Sequence, residues 1–333
     1  MEIKKVLYAI ELPESWDSLA IEYFQTIEFL DHTEKYNSCN QRYYMLYEEG
    51  ILKTGLIMYS IRLDLLTYLS IPSPFRMHIV GIPCSVSSDG IIGSIAHLTA
   101  LIEHIKANEK GFLLLLNMNS KPSMDGFVCG RTLPTVIMEG KFESWESYTK
   151  SLRADYRRRI KHLSGPFSGI KMKQGGCSGF DQQMYDQYLG VLKRSKGKLE
   201  TLSLEFFQNL PSGFYLTTYC DHDKLIGWFI SRLSREKHYF FLGGIDYKLN
   251  RQYKTYFNIL FEVLREGIDK KSPAIDLGQT AEIPKIRMGG TIIEKYMLGY
   301  HSNWIFRKLL FAGKSLLEYP AVFEKPRVFK EQL

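Results

Sequence analysis

The sequence lacks the features that mark secreted, metal-binding and membrane-spanning proteins. Its 333 residues contain few cysteines, with no C-x-x-C pair among them: Cys39, Cys84, Cys129, Cys177 and Cys220. An odd and scattered set argues against a disulfide framework and a structural zinc site, so we expect free thiols in a reducing compartment. The longest apolar runs, such as residues 112–116, are too short to span a bilayer, and the N-terminal apolar run is too short for a signal peptide. The sequence therefore predicts a cytoplasmic protein without a membrane span.

Several catalytic motifs are missing as well. No H-E-x-x-H, P-loop or G-x-S-x-G pattern occurs, so zinc-dependent hydrolysis, nucleotide hydrolysis and serine hydrolysis lack support. Cys177 lies in a glycine-rich stretch with no histidine nearby in the sequence, which argues against a cysteine nucleophile. We predict no metal cofactor.

The composition is that of a globular protein with a mild excess of positive charge. Hydrophobic residues make up 45% and charged residues 24% of the chain, and its length suits two domains of ordinary size. The net charge of +7 suits a nucleotide cofactor, a phosphorylated precursor or RNA, and it equally suits a basic protein with no such partner. A general RNA-binding protein is a further alternative, but the basic residues are dispersed and form no recognisable RNA-binding signature. DNA is not expected as a partner.

One stretch in the second half predicts a strand, a helix and a second strand. Residues 237–242 form an aromatic and apolar run of strand length, residues 243–246 a loop, and Asn250 is placed to cap the helix that follows. A short strand at 274–277 ends at Gly278. A helical crossover favours parallel pairing, which brings both strand ends and the helix N-terminus to one side of the sheet. Exposed N–H groups at a helix N-terminus suit a phosphate or pyrophosphate.

Hydrophobic periodicity predicts further elements on both sides of this stretch. The predicted strands are 43–47, 51–61, 65–69, 77–80, 112–116, 133–138, 170–173, 214–219 and 225–233, and the predicted helices are 15–30, 91–105, 142–163, 180–193 and 203–210. Both halves run through helix, hairpin, helix and strand. We therefore predict an α/β (α+β) fold with two similar domains, residues 1–163 ending in a basic linking helix and residues 164–333.

Two segments resemble a known family. Residues 145–163, WESYTKSLRADYRRRIKHL, resemble the helix that links the two halves of Fem-type and related GNAT-like acyltransferases, and Arg157, Ile160 and Lys161 match its R-x-x-I-R/K pattern. Residues 244–290 resemble the signature of the second half, and the matching positions are Gly244, Asp246, Gly267, Asp276, Gly278, Lys285 and Gly289. The resemblance extends over about residues 43–297.

The resemblance implies tandem GNAT-like domains, each with a mixed, mostly antiparallel sheet flanked by helices. It also implies acyl transfer onto an amine, in one group of relatives from a coenzyme A thioester and in another from aminoacyl-tRNA onto a peptidoglycan precursor. Both reactions need positioned reactants, a deprotonated amine and a stabilised oxyanion. The catalytic cleft is expected between the domains at the splayed end of the second sheet, with the first domain on the acceptor side.

One departure from the family concerns the donor. The resemblance implies a glycine-rich turn, Q/R-x-x-G-x-G/A, before the cofactor helix, but residues 250–255 contain no glycine. Bulky side chains restrict the approach of backbone to a pyrophosphate, and Arg251 and Lys254 are placed to compensate as phosphate partners. Acetyl-CoA or another acyl-CoA is the expected co-substrate. The candidate cofactor-binding residues are Asn250, Arg251, Gln252, Lys254 and Thr255.

Lys285 and Asp246 are the candidate catalytic residues. Lys285 follows the last parallel strand, where its charge can neutralise a phosphate or polarise a carbonyl, or it can be an ordinary solvated lysine. Asp246 can accept a proton from the amine or cap its loop through backbone N–H groups, and Asp276 presents the same choice. Glu282 and His301 are further general-base candidates.

The candidate substrate-binding residues are Arg157, Arg158, Lys161 and Tyr256. Arg157 and Lys161 lie one helical turn apart and can hold phosphates, or they can form a solvated basic face. Arg158 lies beside them. Tyr256 lies on an apolar helix face, where tyrosine more often packs in the core than contacts a substrate.

The sequence leaves several functions open. The main hypothesis is N-acyl transfer from an acyl-CoA to a small-molecule or cell-wall-precursor amine. The first alternative is Fem-type transfer from aminoacyl-tRNA, for which no heptad-repeat arm is evident in the sequence. The second alternative is a catalytically silent binding module on the same fold, and the missing glycine turn is its main support.

Overall fold

The fold is known from a computed structural model, which describes residues 1–37, 39–62, 76–121, 123–195, 200–320 and 324–331. The strand predicted at residues 65–69 lies outside these residues. Strands and helices are numbered in chain order.

The chain begins with β1 (Glu2–Val6), α1 (Ser15–Leu19), α2 (Ile27–Tyr36), β2 (Arg42–Glu48), β3 (Ile51–Arg62), β4 (Arg76–Val80), β5 (Ile91–Gly93), α3 (Leu98–Asn108), β6 (Phe112–Met118) and β7 (Val128–Arg131). It continues through β8 (Thr135–Glu139), α4 (Trp145–Ser151), α5 (Ala154–Ser164), β9 (Lys171–Gly175), α6 (Gln182–Arg194), α7 (Leu204–Gln208), β10 (Phe214–Asp221) and β11 (Lys224–Leu233). The last elements are β12 (Lys237–Ile245), α8 (Tyr247–Tyr253), α9 (Thr255–Asp269), β13 (Ala274–Gln279), α10 (Glu282–Ile286), β14 (Thr291–Ile293), β15 (Tyr296–His301), α11 (Trp304–Ala312) and α12 (Lys314–Leu317).

The chain forms two compact units, each built on its own sheet. The first contains the described residues of Met1–Leu133, Leu199–Ser203 and Glu294–Ala321, and the second those of Pro134–Lys198, Leu204–Ile293 and Val322–Leu333. The units therefore divide after Leu133 rather than at the predicted 163/164 boundary. Strand pairing is the reason, because β8 pairs with β13 and β14 of the second sheet, whereas β15 returns to pair with β6 and β7 of the first. The basic helix thus belongs to the second unit.

The sheet of the first unit is mostly antiparallel. Its described strands run in the order β1-β2-β3-β4-β6-β15-β7, with β5 beside β3. β4 and β6 are parallel, and the chain between them passes through α3. The apolar side of α3 completes the buried cluster of this sheet, through Leu98, Leu101, Ile102 and Ile105.

The sheet of the second unit repeats this arrangement. Its described strands run in the order β14-β8-β13-β12-β11-β10-β9, and β12 and β13 are parallel, with α8 and α9 between them along the chain. Helix α9 buries its apolar side in the core cluster of the unit, through Ile259, Leu260, Val263, Leu264 and Ile268. The parallel strand–helix–strand unit predicted from the sequence is therefore present, and each sheet carries such a unit.

Two predicted helices of the first unit are shorter than expected. The helix predicted at 15–30 is interrupted between α1 and α2, where the Gln25 side chain accepts hydrogen bonds from the N–H groups of Ile21 and Glu22. The helix predicted at 91–105 begins only at Leu98, because β5 precedes it and Gly93 turns the chain with φ +72°. Local side-chain bonds and a left-handed glycine thus override the apolar periodicity.

The basic helix predicted at 142–163 is two helices, α4 and α5. The break lies at Leu152 and Arg153, whose backbone groups pair with a segment close to the C-terminus. Leu152 forms an antiparallel bridge with Phe329, and the Arg153 N–H donates to the Val328 carbonyl oxygen at 2.9 Å. Because the backbone groups of Leu152 and Arg153 bond to this other segment, the series of hydrogen bonds within the helix is interrupted.

Candidate functional site

The parallel strands β12 and β13 part within the second sheet. Their pairing covers the first three residues of each strand and ends at Tyr239 opposite Asp276. Beyond this point β12 stays paired with β11, as far as Ile245, and β13 stays beside β8, as far as Gln279. The facing backbone edges of the two strands are therefore unpaired at the carboxyl ends of the parallel pair, and we call this place the gap. Ligands bind at this position in many sheets with parallel strands.

Both strands carry an irregularity where they part. On β12, pairing with β11 shifts by one residue between Ile230 and Ser231, which leaves Phe241 as the extra residue. On β13, pairing with β8 shifts between Asp276 and Gln279. A bulge bends its strand and increases its twist, and bulges are frequent beside active sites. These two shifts give a physical cause for the gap.

Asp246 caps the helix that follows β12. Its carboxylate accepts a hydrogen bond from the Lys248 N–H at 2.8 Å, and its carbonyl oxygen accepts one from the Asn250 N–H at 2.9 Å. Of the two roles considered for Asp246, the structure shows capping, whereas proton transfer by this residue stays a prediction. The loop predicted at 243–246 is mostly strand, because β12 extends to Ile245. The helix predicted to begin at Asn250 is divided in the structure into α8, which begins at Tyr247, and α9, which begins at Thr255.

Lys254 separates α8 from α9 in a left-handed conformation, with φ 54° and ψ 35°. Asn250 stabilises the break, because its side-chain oxygen accepts the Tyr256 N–H at 3.1 Å and its carbonyl oxygen accepts the Lys254 N–H at 2.8 Å. The Lys254 carbonyl oxygen in turn accepts the N–H groups of Phe257 and Asn258 at 3.0 and 3.2 Å. The N–H groups of Tyr256 and Phe257 at the start of α9 therefore already have acceptors within residues 250–254. Phosphate binding there would depend mainly on side chains.

The residues predicted to bind the cofactor differ in their access to solvent. Arg251 and Gln252 are exposed, and Asn250 and Lys254 are partly buried. Thr255 is fully buried, and its methyl group would lie 2.6 Å from a Cβ placed on Gly227 of β11. Thr255 therefore packs between α9 and the sheet, and cofactor binding by this residue stays a prediction.

Lys285 is held by the loop that follows β13. Its ammonium donates to the carbonyl oxygens of Gly278, Gln279 and Thr280 at 2.9, 2.8 and 2.7 Å. Gly278, Thr280 and Ala281 all have positive φ, at 75°, 62° and 50°. This is uncommon for residues other than glycine, and it is least favourable for a β-branched residue such as Thr280. The alternative of a solvated lysine is wrong, because Lys285 is only 2% exposed.

Burial lowers the pKa of Lys285 to about 7, and the nearby carboxylates of Asp276 and Glu282 oppose this change. The three carbonyl acceptors also favour the ammonium form, since it alone supplies three N–H donors. Asp276 is fixed in the same loop, because its Oδ1 accepts the Thr135 hydroxyl and the Gly278 N–H, each at 2.8 Å. Asp276 therefore has the backbone-capping role considered for it, and Lys285 ties the loop together beside the gap.

A second group of side chains connects α10 to α9, α8 and α6. Burial raises the pKa of Tyr256, and the nearby Glu282 carboxylate and Tyr247 hydroxyl raise it further. The Arg194 guanidinium lies 3.9 Å from the centroid of the Tyr247 ring. The sequence pointed to Tyr256 and Glu282 but not to Tyr247 and Arg194, since Arg194 follows the helix predicted at 180–193.

The predicted acceptor residues of α5 have separate surroundings. Arg157 donates to the Leu152 carbonyl oxygen at the helix break, which gives it a structural bond. Arg158 pairs with Asp155, with both side chains 78% exposed, as expected for a solvated basic face. Lys161 is exposed.

Arg159, which the sequence did not single out, lies over the start of α9. Its guanidinium is 5.5 Å from the centroid of the Phe257 ring, in the first turn of that helix. Arg159 therefore adds a third cation to Arg251 and Lys254 around the α8–α9 break. His301, the remaining general-base candidate, lies in the first unit, where its Nδ1 accepts the Asn303 N–H at 2.9 Å.

Comparison of this sequence with protein-family models and with curated proteins finds no match. Comparison with solved structures does, and FemX gives a TM-score of 0.58 with 10% identity over 93% of this chain and 100% of FemX. The chain has the two-domain GNAT-like fold of the Fem type. A tandem GNAT protein from the clavulanic acid biosynthesis pathway gives a TM-score of 0.51 with 11% identity, over 91% of this chain and 99% of that protein. L-PGS from Bacillus licheniformis gives a TM-score of 0.50 with 11% identity, over 84% of this chain and 94% of L-PGS.

The GNAT-like fold confirms the architecture predicted from the sequence, with mixed, mostly antiparallel sheets flanked by helices. At these identities the likeness shows the fold alone. Within the described ranges, no group of three or more His, Cys, Asp or Glu residues is arranged to hold a metal ion. None of the helices in the described part of the chain combines the length and the apolar character needed to cross a membrane.

Proposed function

We propose that this protein transfers an acyl group from an acyl-CoA thioester to an amine, at the gap between β12 and β13. The observation that carries the proposal is the parting of the two strands after Tyr239 and Asp276, with a bulge on each strand at that point. The backbone edges that face each other beyond these residues are free of strand pairing with one another. They can bind an extended chain that carries amide groups, such as the arm of a coenzyme A thioester.

Three cations near the α8–α9 break are the proposed partners of the donor phosphates. Arg251 is exposed, Lys254 is partly buried in its left-handed turn, and the Arg159 guanidinium lies over Phe257. No hydrogen bond or ion pair holds the charged groups of these three residues within the described part of the chain, so they can bind phosphate oxygens. Guanidinium groups are well matched to phosphates because they donate two parallel hydrogen bonds.

Lys285 acts in this proposal as a positioning residue. Its three bonds to the 278–280 carbonyl oxygens fix the loop at the end of β13, which forms one wall of the gap. Glu282 and Tyr256 lie beside this wall and are the proposed groups for moving the amine proton, because a carboxylate can accept it and a phenol can donate one to a leaving thiolate. The acceptor is proposed to be an amine of a cell-wall precursor, as the Fem-type resemblance implies.

The direct test is transfer of radiolabel from acetyl-CoA. Purified protein is incubated with labelled acetyl-CoA and a panel of amines, including diamino acids and cell-wall precursor peptides, and label in the acceptor is counted. We expect label to appear in at least one amine and to be lost in Glu282→Gln. Absence of transfer, together with absence of acetyl-CoA binding by calorimetry, would contradict the acyl-CoA proposal.

A second candidate function is transfer of an aminoacyl group from aminoacyl-tRNA. One specific observation favours it: the N–H groups of Tyr256 and Phe257, in the first turn of α9, already bond to Asn250 and Lys254 and are not available to a pyrophosphate. The exposed cations would then contact an RNA backbone instead, and binding would weaken steeply with salt. Filter binding of charged and uncharged tRNA, measured at about 50 mM and about 200 mM salt, separates the two donors. Binding of tRNA that weakens steeply between these concentrations would favour aminoacyl-tRNA as the donor. Binding of either donor without any transfer would instead support the silent binding module.

A further inference from the structure

Helix α11 presents its apolar side to solvent. At about 100° of turn per residue, Trp304, Ile305, Leu309 and Phe311 fall on one side of the helix. Their side chains are 58%, 51%, 60% and 53% exposed, and no residue of α11 is buried. A surface helix ordinarily turns its apolar side inward. Helix α11 instead exposes these four apolar side chains, and a contiguous exposed apolar surface of this kind marks an interaction site.

Positive charge accompanies this apolar side. Lys308 lies within it, with its Nζ 4.8 Å from the centroid of the Trp304 ring. Arg307 and Lys314 lie beside it, and the segment 295–317 contains no Asp or Glu. Glu318, which follows, is paired with Arg131. The surface is thus apolar, aromatic and cationic.

The helix is fixed at both ends within the first unit. Before it, the Ser302 N–H donates to the Gly111 carbonyl oxygen at 3.0 Å, and the Gly111 N–H donates to the Ser302 hydroxyl at 2.9 Å. After it, the Tyr319 N–H donates to the Arg131 carbonyl oxygen at 3.0 Å. A surface that is held in place in advance binds without the entropy cost of ordering a flexible segment.

We propose that the α11 face, defined as Trp304, Ile305, Lys308, Leu309 and Phe311, docks on the surface of an anionic lipid bilayer. Aromatic and aliphatic side chains of a helix lying in the membrane plane enter the boundary between headgroups and acyl chains. Lys308 extends along the Trp304 ring and reaches back to the lipid phosphates, as long cationic side chains do at such interfaces. Charge complementarity selects this partner, because the segment offers cations and no carboxylate to match.

The docking proposal is independent of the transferase proposal. The α11 face belongs to the first unit, whereas the proposed donor site is built from β12, β13 and α9 of the second. Failure of one therefore leaves the other standing. Together they describe a transferase held at a membrane surface.

The test is co-sedimentation of the full chain with vesicles of phosphatidylcholine alone and with vesicles in which about a third of the lipid is phosphatidylglycerol. We expect binding to the anionic vesicles only. Trp304→Ser combined with Leu309→Ser is expected to weaken this binding at least about tenfold, because two apolar side chains would no longer enter the membrane boundary. Lys308→Gln combined with Lys314→Gln is expected to weaken it about fivefold for each charge removed. Ile21→Ser, at a residue 79% exposed elsewhere in the first unit, is the matched control and should bind as the unmodified protein does.

Tryptophan fluorescence provides a second readout. Trp16 and Trp228 are fully buried, and Trp145 is partly buried against the core of the second unit. A blue shift on adding vesicles should therefore come mainly from Trp304, which is 58% exposed, and Trp304→Phe should remove the shift while keeping the binding. Equal binding to both vesicle types, or no binding to either, would overturn the proposal. So would a concentration-dependent dimer that Trp304→Ser dissociates, because the face would then be an interface between two copies of this chain.

Discussion

The Lys285 ammonium lies 2.7 Å from the carbonyl oxygen of Thr280, a β-branched residue with φ 62°. A buried cation and an unfavourable backbone conformation are therefore coupled at the end of β13. Backbone held in a sparsely populated region persists only when its surroundings stabilise it, and such places cluster at functional sites.

Replacing Thr280 by glycine should stabilise the second unit by about 1 kcal/mol, because glycine adopts positive φ without the steric cost of a β-branched side chain. Urea denaturation measures the change. Thr291→Gly is the control, since Thr291 begins strand β14, where glycine is expected to destabilise instead. If Thr280→Gly destabilised the protein as the control does, the loop would carry no strain at this residue.

The pH dependence of stability should reveal the buried ammonium of Lys285. Its pKa in the folded protein is lowered from 10.5 to about 7, so between these values the unfolded chain binds more protons than the folded one. The unfolding free energy should therefore rise with pH across this range. Lys285→Met removes the group, and the difference in unfolding free energy between the unmodified protein and this variant isolates it.

That difference should grow in favour of the unmodified protein from pH 7 to pH 10.5, the interval set by the two pKa values. A constant difference would mean that the three carbonyl oxygens hold the pKa of Lys285 at its ordinary value. The same variant should lose acyl transfer if the loop is a wall of the donor site, because the three loop carbonyl oxygens that accept the ammonium lose that donor.

Glu200 should give the opposite pH dependence in the first unit. Burial raises the pKa of its carboxyl from 4.5 to about 7, while the hydrogen bond from the Ser85 hydroxyl opposes the change. Between these values the folded protein binds more protons than the unfolded chain, so the unfolding free energy should fall as pH rises. Glu200→Gln should therefore be more stable than the unmodified protein at pH 8 but not at pH 4, measured by chemical denaturation. Equal pH dependence of the two proteins would contradict the raised pKa.

Neutralising the cations at the α8–α9 break should weaken donor binding. Arg251→Gln combined with Lys254→Gln is expected to lower the affinity for acetyl-CoA about tenfold at low salt and by less at high salt, because exposed ion pairs are screened. Isothermal titration measures both. Lys171→Gln, which removes an exposed charge on β9, is the matched control and should leave the affinity unchanged. An equal loss in the control would show that only the net charge matters.

Much of the fold was predictable because strand alternation and helical periodicity are local signals. The hairpin strands and the parallel β12–β13 unit follow from them directly. The break at Leu152 could not be predicted, because its cause is pairing with Phe329, far along the chain. The division after Leu133 likewise depends on strand β8 pairing with β13 and β14, which no local pattern specifies.

The candidate site was predicted in part. Glycine and aspartate after a strand located the Asp276 and Lys285 loop, but the sequence could not show that Lys285 turns toward three carbonyl oxygens of its own loop. The burial of Thr255 could not be predicted, because it depends on packing against Gly227 of a neighbouring strand. Arg159 was missed because the side chains of a basic helix look alike until the position of α9 is known.

The central claim is that an activated acyl donor binds where β12 and β13 part. Hydrogen–deuterium exchange of the full chain, with and without acetyl-CoA and aminoacyl-tRNA, tests it most directly. We predict that at least one of the two donors slows exchange in residues 240–244 of β12 and at the α8–α9 break near Lys254, while exchange in β9 stays the same. Unchanged exchange in both segments with either donor at saturating concentration would contradict the claim.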